Sequence, residues 1–528
     1  QSITPQTGKK LDRMIMVVLA LALTYFAVDK FLLTNGPAVI DEQIPATQSE
    51  VVPAASDASI AVLPFRNISS DPENEYFADG MTEEVMGLLA NVRDLRVISR
   101  SSSFAYKGLA VPVRQIAQEL SVAHILEGSV RRSEQKVRIS VQLIDARSDD
   151  QQWSKTWEKS ASDIFDLQNE VALEIAAQLQ RTLSIGEYSR RDNPTNNLEA
   201  YHVYLRAREL WWRREPESVD QSIRMFERAI EMDPGFALAH AGLASALYID
   251  FLSNPLRSMD EWRQRANRAH ELDPTLAEPV FLEADYQLFP GGDVEKAISM
   301  ISQALSLEPN STWINFMVSI YWAAGGSLER VLILAEKAQS LDPLHPMING
   351  NLGKVHLLLD NNARALHYLN LASELGMGGE LHWTNKAVVL ARLGDVVATR
   401  EHAREVAQTL DLPESYVNTM VRLADTEHMA GVDLDDLGEL PFLLRFDICL
   451  RSGELQCAFD AFAARMREKS AVPTFSLIWL EEARPLREQP GFTEWLQKNF
   501  NWPALTAHWT VHGWPDVCPS SVDSLDCR

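Results

Sequence analysis

The chain has 528 residues, of which 46% are hydrophobic and 23% charged, an ordinary globular composition long enough for roughly three or four domains. Its formal net charge of −24 argues against nucleic acid as the main ligand, because phosphate would be repelled over most of the surface. It opens at Gln1 rather than Met, which suggests a fragment of a longer polypeptide.

Residues 1–13 read as a cytoplasmic flank. Met14 to Val28 carries no charge, and with Phe31, Leu32 and Leu33 beyond Asp29-Lys30 the apolar stretch reaches 20 residues, 14–33. That is about the length of a transmembrane helix crossing ~30 Å of hydrocarbon at roughly 1.5 Å per residue. Lys9, Lys10 and Arg13 precede it and Asp41, Glu42 and Glu50 follow, so the positive-inside rule places everything after the span outside the cytoplasm. A signal peptide would want a small-x-small cleavage site, which Ala27-Val-Asp29 supplies poorly; a buried core helix is the other alternative. Residues 34–58, rich in Pro, Ala, Ser and Thr, read as a flexible linker.

Residues 59–186 read as a small mixed α/β domain. Ile60 to Leu63 is a buried strand stopped by Pro64; Glu75 to Val92 has helical spacing; Leu95 to Ile98 returns to strand character. A second helix, Val113 to Leu120, precedes a strand from Ile125 to Arg132. Lys136 to Leu143 alternates strictly, with Val137, Ile139, Val141 and Leu143 on one face, so a hairpin turns at Ser133-Glu134-Gln135. Trp153 to Trp157 extends the sheet, and Asp163 to Leu183 closes the unit with an apolar helical stripe. The acidic group Asp79, Glu83 and Glu84 is read as helix first-turn carboxylates rather than as a catalytic or metal site. Ser99-Arg100-Ser-Ser-Ser103 has neither a Gly-rich cradle nor a helix-opening Lys for phosphate and is read as a plain loop.

Ser59-Ile-Ala-Val-Leu-Pro-Phe65, Asp71-Pro, Glu75-Tyr-Phe-Ala-Asp-Gly80, Val97-Ile-Ser-Arg100, Ile125-Leu-Glu-Gly-Ser129 and Val141-Gln-Leu-Ile144 occur in that order. The succession resembles the domain similar to the amino-terminal domain of TolB, found in bacterial membrane-anchored proteins that join it to tetratricopeptide repeats. The resemblance implies a recognition or assembly domain outside the cytoplasm and transfers no catalytic residue. With the span it implies a bacterial inner-membrane protein whose C-terminal bulk is periplasmic. Relatives carry a winged-helix or cyclase module on the cytoplasmic side.

Residues 196–500 read as an all-α solenoid. The phrases Ala229-Ile-Glu-Met-Asp-Pro234, Ala269-His-Glu-Leu-Asp-Pro274, Ala304-Leu-Ser-Leu-Glu-Pro309 and Ala338-Gln-Ser-Leu-Asp-Pro343 place prolines at steps of 40, 35 and 34 residues, and Ala372-Ser-Glu-Leu-Gly376 is a degenerate fifth. That is the tetratricopeptide period. The Ala admits close helix approach, and Pro after an acidic residue ends one helix and pre-sets the next. Small residues recur at Ala241-Gly242, Ala323-Ala324 and Gly353. An earlier hairpin spans Leu198 to Met232; later ones pair Glu380 to Leu393 with Asp395 to Leu410, and Phe442 to Leu450 with Leu455 to Met466. Glu481 to Pro485 and Pro490 to Leu496 resemble a closing helix. Such stacks curve into a groove lined by first helices that binds proteins or peptides. The cluster Arg206, Arg208, Trp211, Trp212, Arg213 and Arg214 is read as an array end rather than a nucleic-acid patch.

Residues 501–528 form a C-terminal tail. No P-loop, H-E-x-x-H, G-x-S-x-G or C-x-x-C is present, so no catalytic, cofactor or metal residue is assigned. Asp433-Leu-Asp435-Asp436-Leu437-Gly438-Glu439 fails as a calcium loop, since Leu437 stands at a ligand position and Leu444 at the terminal one. His508, His512, Cys518 and Cys527 could form a zinc site. Placed outside the cytoplasm, the four cysteines are instead expected to pair locally, Cys449 with Cys457 and Cys518 with Cys527.

The fold class expected is thus multidomain: one transmembrane helix, a small mixed α/β domain, then a tetratricopeptide-type solenoid. The function expected is a non-enzymatic, membrane-anchored scaffold or receptor holding a protein or peptide ligand. The alternative is a sensory module of a signalling protein whose DNA-binding or cyclase effector lies outside this chain.

Overall fold

The structure, a computed structural model, describes residues 58–71, 74–92, 94–133, 135–182, 193–253, 258–288, 294–323, 328–425, 440–466, 476–480, 483–489, 491–492 and 494–495. Its first part is one twisted sheet with helices on both faces. The strands are β1 (Ser59–Val62), β2 (Arg66–Asn67), β3 (Arg96–Val97), β4 (His124–Arg132), β5 (Lys136–Asp145) and β6 (Asp150–Ser160), and the helices are α1 (Glu75–Ala90), α2 (Arg100–Phe104), α3 (Val113–Glu119) and α4 (Ile164–Thr182). The sheet order is β3-β1-β4-β5-β6, with β2 also paired to β4. β1 runs parallel to β3 and β4, while β4, β5 and β6 form an antiparallel meander.

All of β1 is buried because both faces of the sheet are covered there. Ile60 and Val62 join the core packed under α1 and α4, while Ala61 and Leu63 join Ile116, Ala117 and Leu120 on the opposite face. β5 shows the alternation read from its sequence, with Val137, Ile139, Val141 and Leu143 buried. The expected strand over residues 95–98 is shorter, Arg96–Val97, because only those residues pair along β1.

The second part is a run of helical hairpins: α5 (Leu198–Trp212) with α6 (Pro216–Met232), α7 (Ala237–Ser253) with α8 (Met259–Leu272), α9 (Ala277–Leu288) with α10 (Val294–Leu307), α11 (Thr312–Ala323) with α12 (Leu328–Leu341), α13 (Pro346–Leu358) with α14 (Asn362–Glu374), and α15 (Glu380–Arg392) with α16 (Val396–Leu410). Then come α17 (Glu414–Asp425), α18 (Phe442–Arg451) with α19 (Leu455–Met466), a 3-10 turn at Ser476–Trp479 and α20 (Arg484–Arg487). First helices also pack on the next first helix, α5 on α7, α7 on α9, α11 on α13 and α13 on α15. They therefore line the inner side of the curve, as in tetratricopeptide solenoids.

The prolines Pro234, Pro274, Pro309 and Pro343 stand in the turns just past the end of one helix and not in the first turn of the next; in α13 that place is taken by Pro346, where a missing N–H costs nothing. Six residues beyond the proline, a polar side chain reaches back to the prolyl carbonyl: His240 Nε2 lies 3.2 Å from Pro234 O, while Asn315 and Asn349 donate to Pro309 O and Pro343 O at 3.0 and 2.8 Å. The small residues mark close approach, since a Cβ at Gly242 would collide with the buried Phe226 ring and one at Gly353 would stand 2.8 Å from Leu369 Cγ. Helix α17 has no counterpart in the sequence reading, although Tyr416, Val417, Met420 and Leu423 bury one face of it at helical spacing.

Two expectations are corrected. The membrane helix read at 14–33 lies outside the described residues, and among the described residues no helix is long and apolar enough to cross a membrane. Even α4, a helix of 19 residues, carries Asp166, Glu170, Glu174 and Arg181. The fold class is accordingly a mixed α/β unit followed by a helical solenoid. The inner-membrane, periplasmic placement, which rested on that span, is withdrawn with it.

Candidate functional site

The two parts of the molecule share one core. Tyr201, Tyr204 and Leu205 of α5 belong to the same buried cluster as Phe77, Met81 and Val85 of α1 and Leu167 and Val171 of α4. Gly80 makes the approach of α1 and α5 possible: a Cβ there would stand 2.8 Å from Leu205 Cδ2. Tyr201 is fully buried, so its hydroxyl needs a partner, and Gln168 Nε2 donates to it at 2.7 Å. Arg132 Nη2 lies 2.9 Å from His202 Nε2. Burial, reinforced by that guanidinium, lowers the His202 pKa to about 4, so the ring is neutral and accepts the bond.

Above this core Glu83 ties three elements together. Its carboxylate takes Arg100 Nε at 2.6 Å, Arg208 Nη2 at 2.9 Å and Trp212 Nε1 at 3.2 Å. Arg100 also lies over the rings of Phe104, at 4.0 Å, and Trp212, at 5.1 Å. Nearby, Lys107 Nζ sits 2.6 Å from Asp79 Oδ1 and 2.9 Å from Glu75. Burial raises the Asp79 pKa above the usual carboxylate value, against the pull of Lys107.

The α/β unit meets the array again at the turn between α12 and α13. Arg96 Nη1 donates to Ser340 O at 2.6 Å and Ser99 N to Leu341 O at 2.7 Å. Ser102 Oγ donates to Asp342 Oδ1 at 2.5 Å and accepts from Leu344 N at 2.9 Å; Ser101 Oγ bonds the other carboxylate oxygen. Leu344 packs against the apolar cluster around Tyr106, Ile116 and Leu120. One turn earlier in the array, Asn310 Nδ2 donates to Ala90 O at 3.4 Å. The sheet unit is thus fastened to α5 and also to two of the acidic-Pro turns further along, so the first hairpins bend around it.

Residues 56–173, which hold the sheet and the first half of α4, match the family model "HilA/YgeH-like transcriptional regulator, second domain". A relative, "Putative adenylate cyclase 3" of Rhizobium meliloti (strain 1021), is 42% identical over 196 residues, 37% of this chain and 33% of that protein. The chain thus spans about a third of that relative's length. Among solved structures, the type IV pilus biogenesis factor PilW is 17% identical with a TM-score of 0.33, covering 43% of this chain and 99% of that one. A thermophilic TPR protein of Thermus thermophilus is 17% identical with a TM-score of 0.29, covering 36% and 98%.

Several sequence expectations change here. Residues 99–103 are not a plain loop, because Arg100–Phe104 is helical and its serines hold a carboxylate of the array. Asp79 and Glu83 lie beyond the first turn of α1, which opens at Glu75, and pair with lysine and arginine instead of with the helix terminus. Arg208 and Trp212 are not at an open array end, since both meet Glu83 of the α/β unit. Cys449 and Cys457 form a disulfide with Cα atoms 5.7 Å apart, bridging α18 and α19. Cys518, Cys527, His508, His512 and the acidic run 433–439 lie outside the described residues. Among the described residues no His, Cys, Asp and Glu group is placed to hold a metal ion.

The sequence reading did not single out Asp342, taken only as a helix-ending residue, nor Arg392 and Asp447, which pair at 2.8 Å between α15 and α18 with side chains 5% and 2% exposed. The signal available for the second pair was charge on otherwise apolar helix faces. For Asp342 the sequence held none, because Asp233 and Asp273 stand in phrases of the same Ala-x-x-x-Asp-Pro pattern.

Proposed function

We propose that the chain is a protein-binding regulatory module in which the tetratricopeptide-type array carries the binding surface and the TolB amino-terminal-like α/β unit is fixed to it as part of the same recognition body. The observation that carries this reading is the double attachment of the α/β unit, through the α5 core and through Ser102 to Asp342. A freely tethered neighbour would not bury a carboxylate of the array. First helices on the inner side offer the surface, since stacked hairpins leave that side to a ligand.

The names of the relatives favour a second, compatible reading: the module serves a signalling effector, a transcriptional regulator or a nucleotide cyclase, and transmits whether its ligand is bound. Both rest on a protein ligand. Met347 and Asn351 lie four residues apart on one face of the first helix α13, and Arg364 and Glu401 are exposed on second helices. Met347→Arg with Asn351→Arg should abolish capture of a purified binding protein, while Arg364→Glu with Glu401→Arg should leave it intact. Equal loss from both pairs, at unchanged melting temperature, would remove the inner-face reading.

A further inference from the structure

Helix α5 closes at Trp212 with Arg213 as its cap, and the next residue, Arg214, has a φ of 58°, the left-handed conformation that favours glycine. Its guanidinium lies over the Trp211 ring, 3.8 Å from the centroid, and 5.7 Å from that of Trp212. Arg214 is exposed and, among the described residues, makes no ion pair and no side-chain hydrogen bond. The indole beneath it is also unsatisfied, since Trp211 Nε1 is buried with no acceptor among the described residues.

The neighbouring guanidinium groups are matched. Arg100 and Arg208 share Glu83, and Arg213 pairs with Glu209 at 2.6 Å. Glu278 of α9, near enough to act on the Arg214 charge, accepts from Ser245 Oγ of α7 instead. Withdrawal from water by the surrounding protein lowers the Arg214 pKa to about 10, with Glu278 acting against that shift and Arg208 adding to it, so the group remains charged at neutral pH. Arg214 also reaches the turn before α13: burial lowers the His345 pKa, and the Arg214 charge adds to this against Asp342. His345 Nδ1 is buried without a partner among the described residues. An arginine where the backbone favours glycine, with no ion pair to hold it, is explained by neither the turn nor the packing.

We propose that Arg214, seated on Trp211, receives a single carboxylate of the protein partner, an Asp or Glu side chain, through the N–H fork of its guanidinium. A guanidinium resting on an indole is already ordered and keeps its donors free, so little freedom is lost on binding. A doubly charged phosphate suits the place less, because Glu278 is close and the chain carries −24. The proposal rests on the reading of the chain as a protein-binding module and adds which group of the partner is taken.

The test uses the full chain, immobilised, and two synthetic pools of acetylated, amidated peptides of neutral residues. The pools are identical except that each member carries one Glu in the first and one Gln in the second. The wild type should retain the Glu pool at least roughly fivefold over the Gln pool, the order expected of a charge-assisted hydrogen bond at an open site. Arg214→Gln should remove the preference, and Arg214→Lys, which keeps the charge without the fork, should restore only part of it. Arg214→Gly, which suits the left-handed backbone, replaces Arg214→Gln should that variant disturb the fold. Equal retention of both pools by the wild type, or a Glu preference that survives loss of the arginine, overturns the proposal. Stronger retention of a phosphoserine pool than of the Glu pool overturns it as well. If the pools fail while Met347→Arg with Asn351→Arg still abolishes capture of the purified binding protein, the protein-binding reading stands and only the Arg214 site falls.

Discussion

The hydroxyl of Ser102 is inserted between the carboxylate of Asp342 and the amide of Leu344, donating to one at 2.5 Å and accepting from the other at 2.9 Å. In the equivalent phrases no such insertion occurs: Asp233 accepts directly from Gly235 N at 3.0 Å and Asp273 from Thr275 N at 2.9 Å. Asp342 has given up the local Asx turn of its repeat for a bond to the α/β unit. Asp342→Ala should therefore release that contact, at a cost of about 2–3 kcal/mol for a buried charged acceptor. Amide exchange should rise at Ser99, whose N–H bonds Leu341 O, and stay unchanged over α15 to α19. Unchanged exchange at Ser99 would mean that the serine contacts do not hold the two parts together.

Arg392 and Asp447 form a nearly water-free ion pair. Arg392→Met alone leaves a buried carboxylate without its guanidinium and should cost about 3–5 kcal/mol, whereas Arg392→Met with Asp447→Leu should recover most of it. A thermal-melt double-mutant cycle measures the coupling. Additive losses would show that the pair is energetically irrelevant.

Burial lowers the pKa values of His356 and His382 from 6.5 to about 4. Both rings are neutral in the fold, while the unfolded chain takes up protons below its ordinary value. Their contribution is thus complete above pH 6.5 and is lost as pH falls from there toward 4, on the order of 1–2 kcal/mol for each by pH 5. The His356→Phe variant keeps the ring stacked at 5.5 Å on Tyr368 and removes the titration. Its melting temperature should drop less between pH 7 and pH 5 than that of the wild type; an equal drop would place the pH sensitivity elsewhere.

The Cys449–Cys457 bridge closes a short loop, eight residues apart in sequence, across the turn between α18 and α19. Reduction, or Cys449→Ser with Cys457→Ser, should lower the stability of that hairpin by roughly 2–3 kcal/mol. Mass spectrometry of unreduced, alkylated folded protein checks the bond itself. Alkylation at either position would refute it.

The hairpins were legible because their signals are local. Pro234, Pro274, Pro309 and Pro343 recur at steps of 40, 35 and 34 residues, and the alternation in β5 needs no partner to be seen. Helix α17 hid because it carries no phrase, only Tyr416, Val417, Met420 and Leu423 on one side. The site was hardly legible, since it is made by distance in sequence: Ser102 and Asp342 are 240 residues apart, and Glu83 and Arg208 are 125 apart. Nothing near Ser99–Ser103 announces that a carboxylate from another repeat will arrive there. At the C-terminal end α20 packs on α19, and Phe492 and Trp495 lie against Phe459 and Phe462.

Hydrogen exchange of the full chain, with and without a binding protein purified on it, tests the scaffold reading most directly. Protection is predicted on the first helices α11, α13 and α15, with little change on α12, α14 and α16. Protection confined to those second helices, or to β6 of the sheet, would contradict an inner-face scaffold.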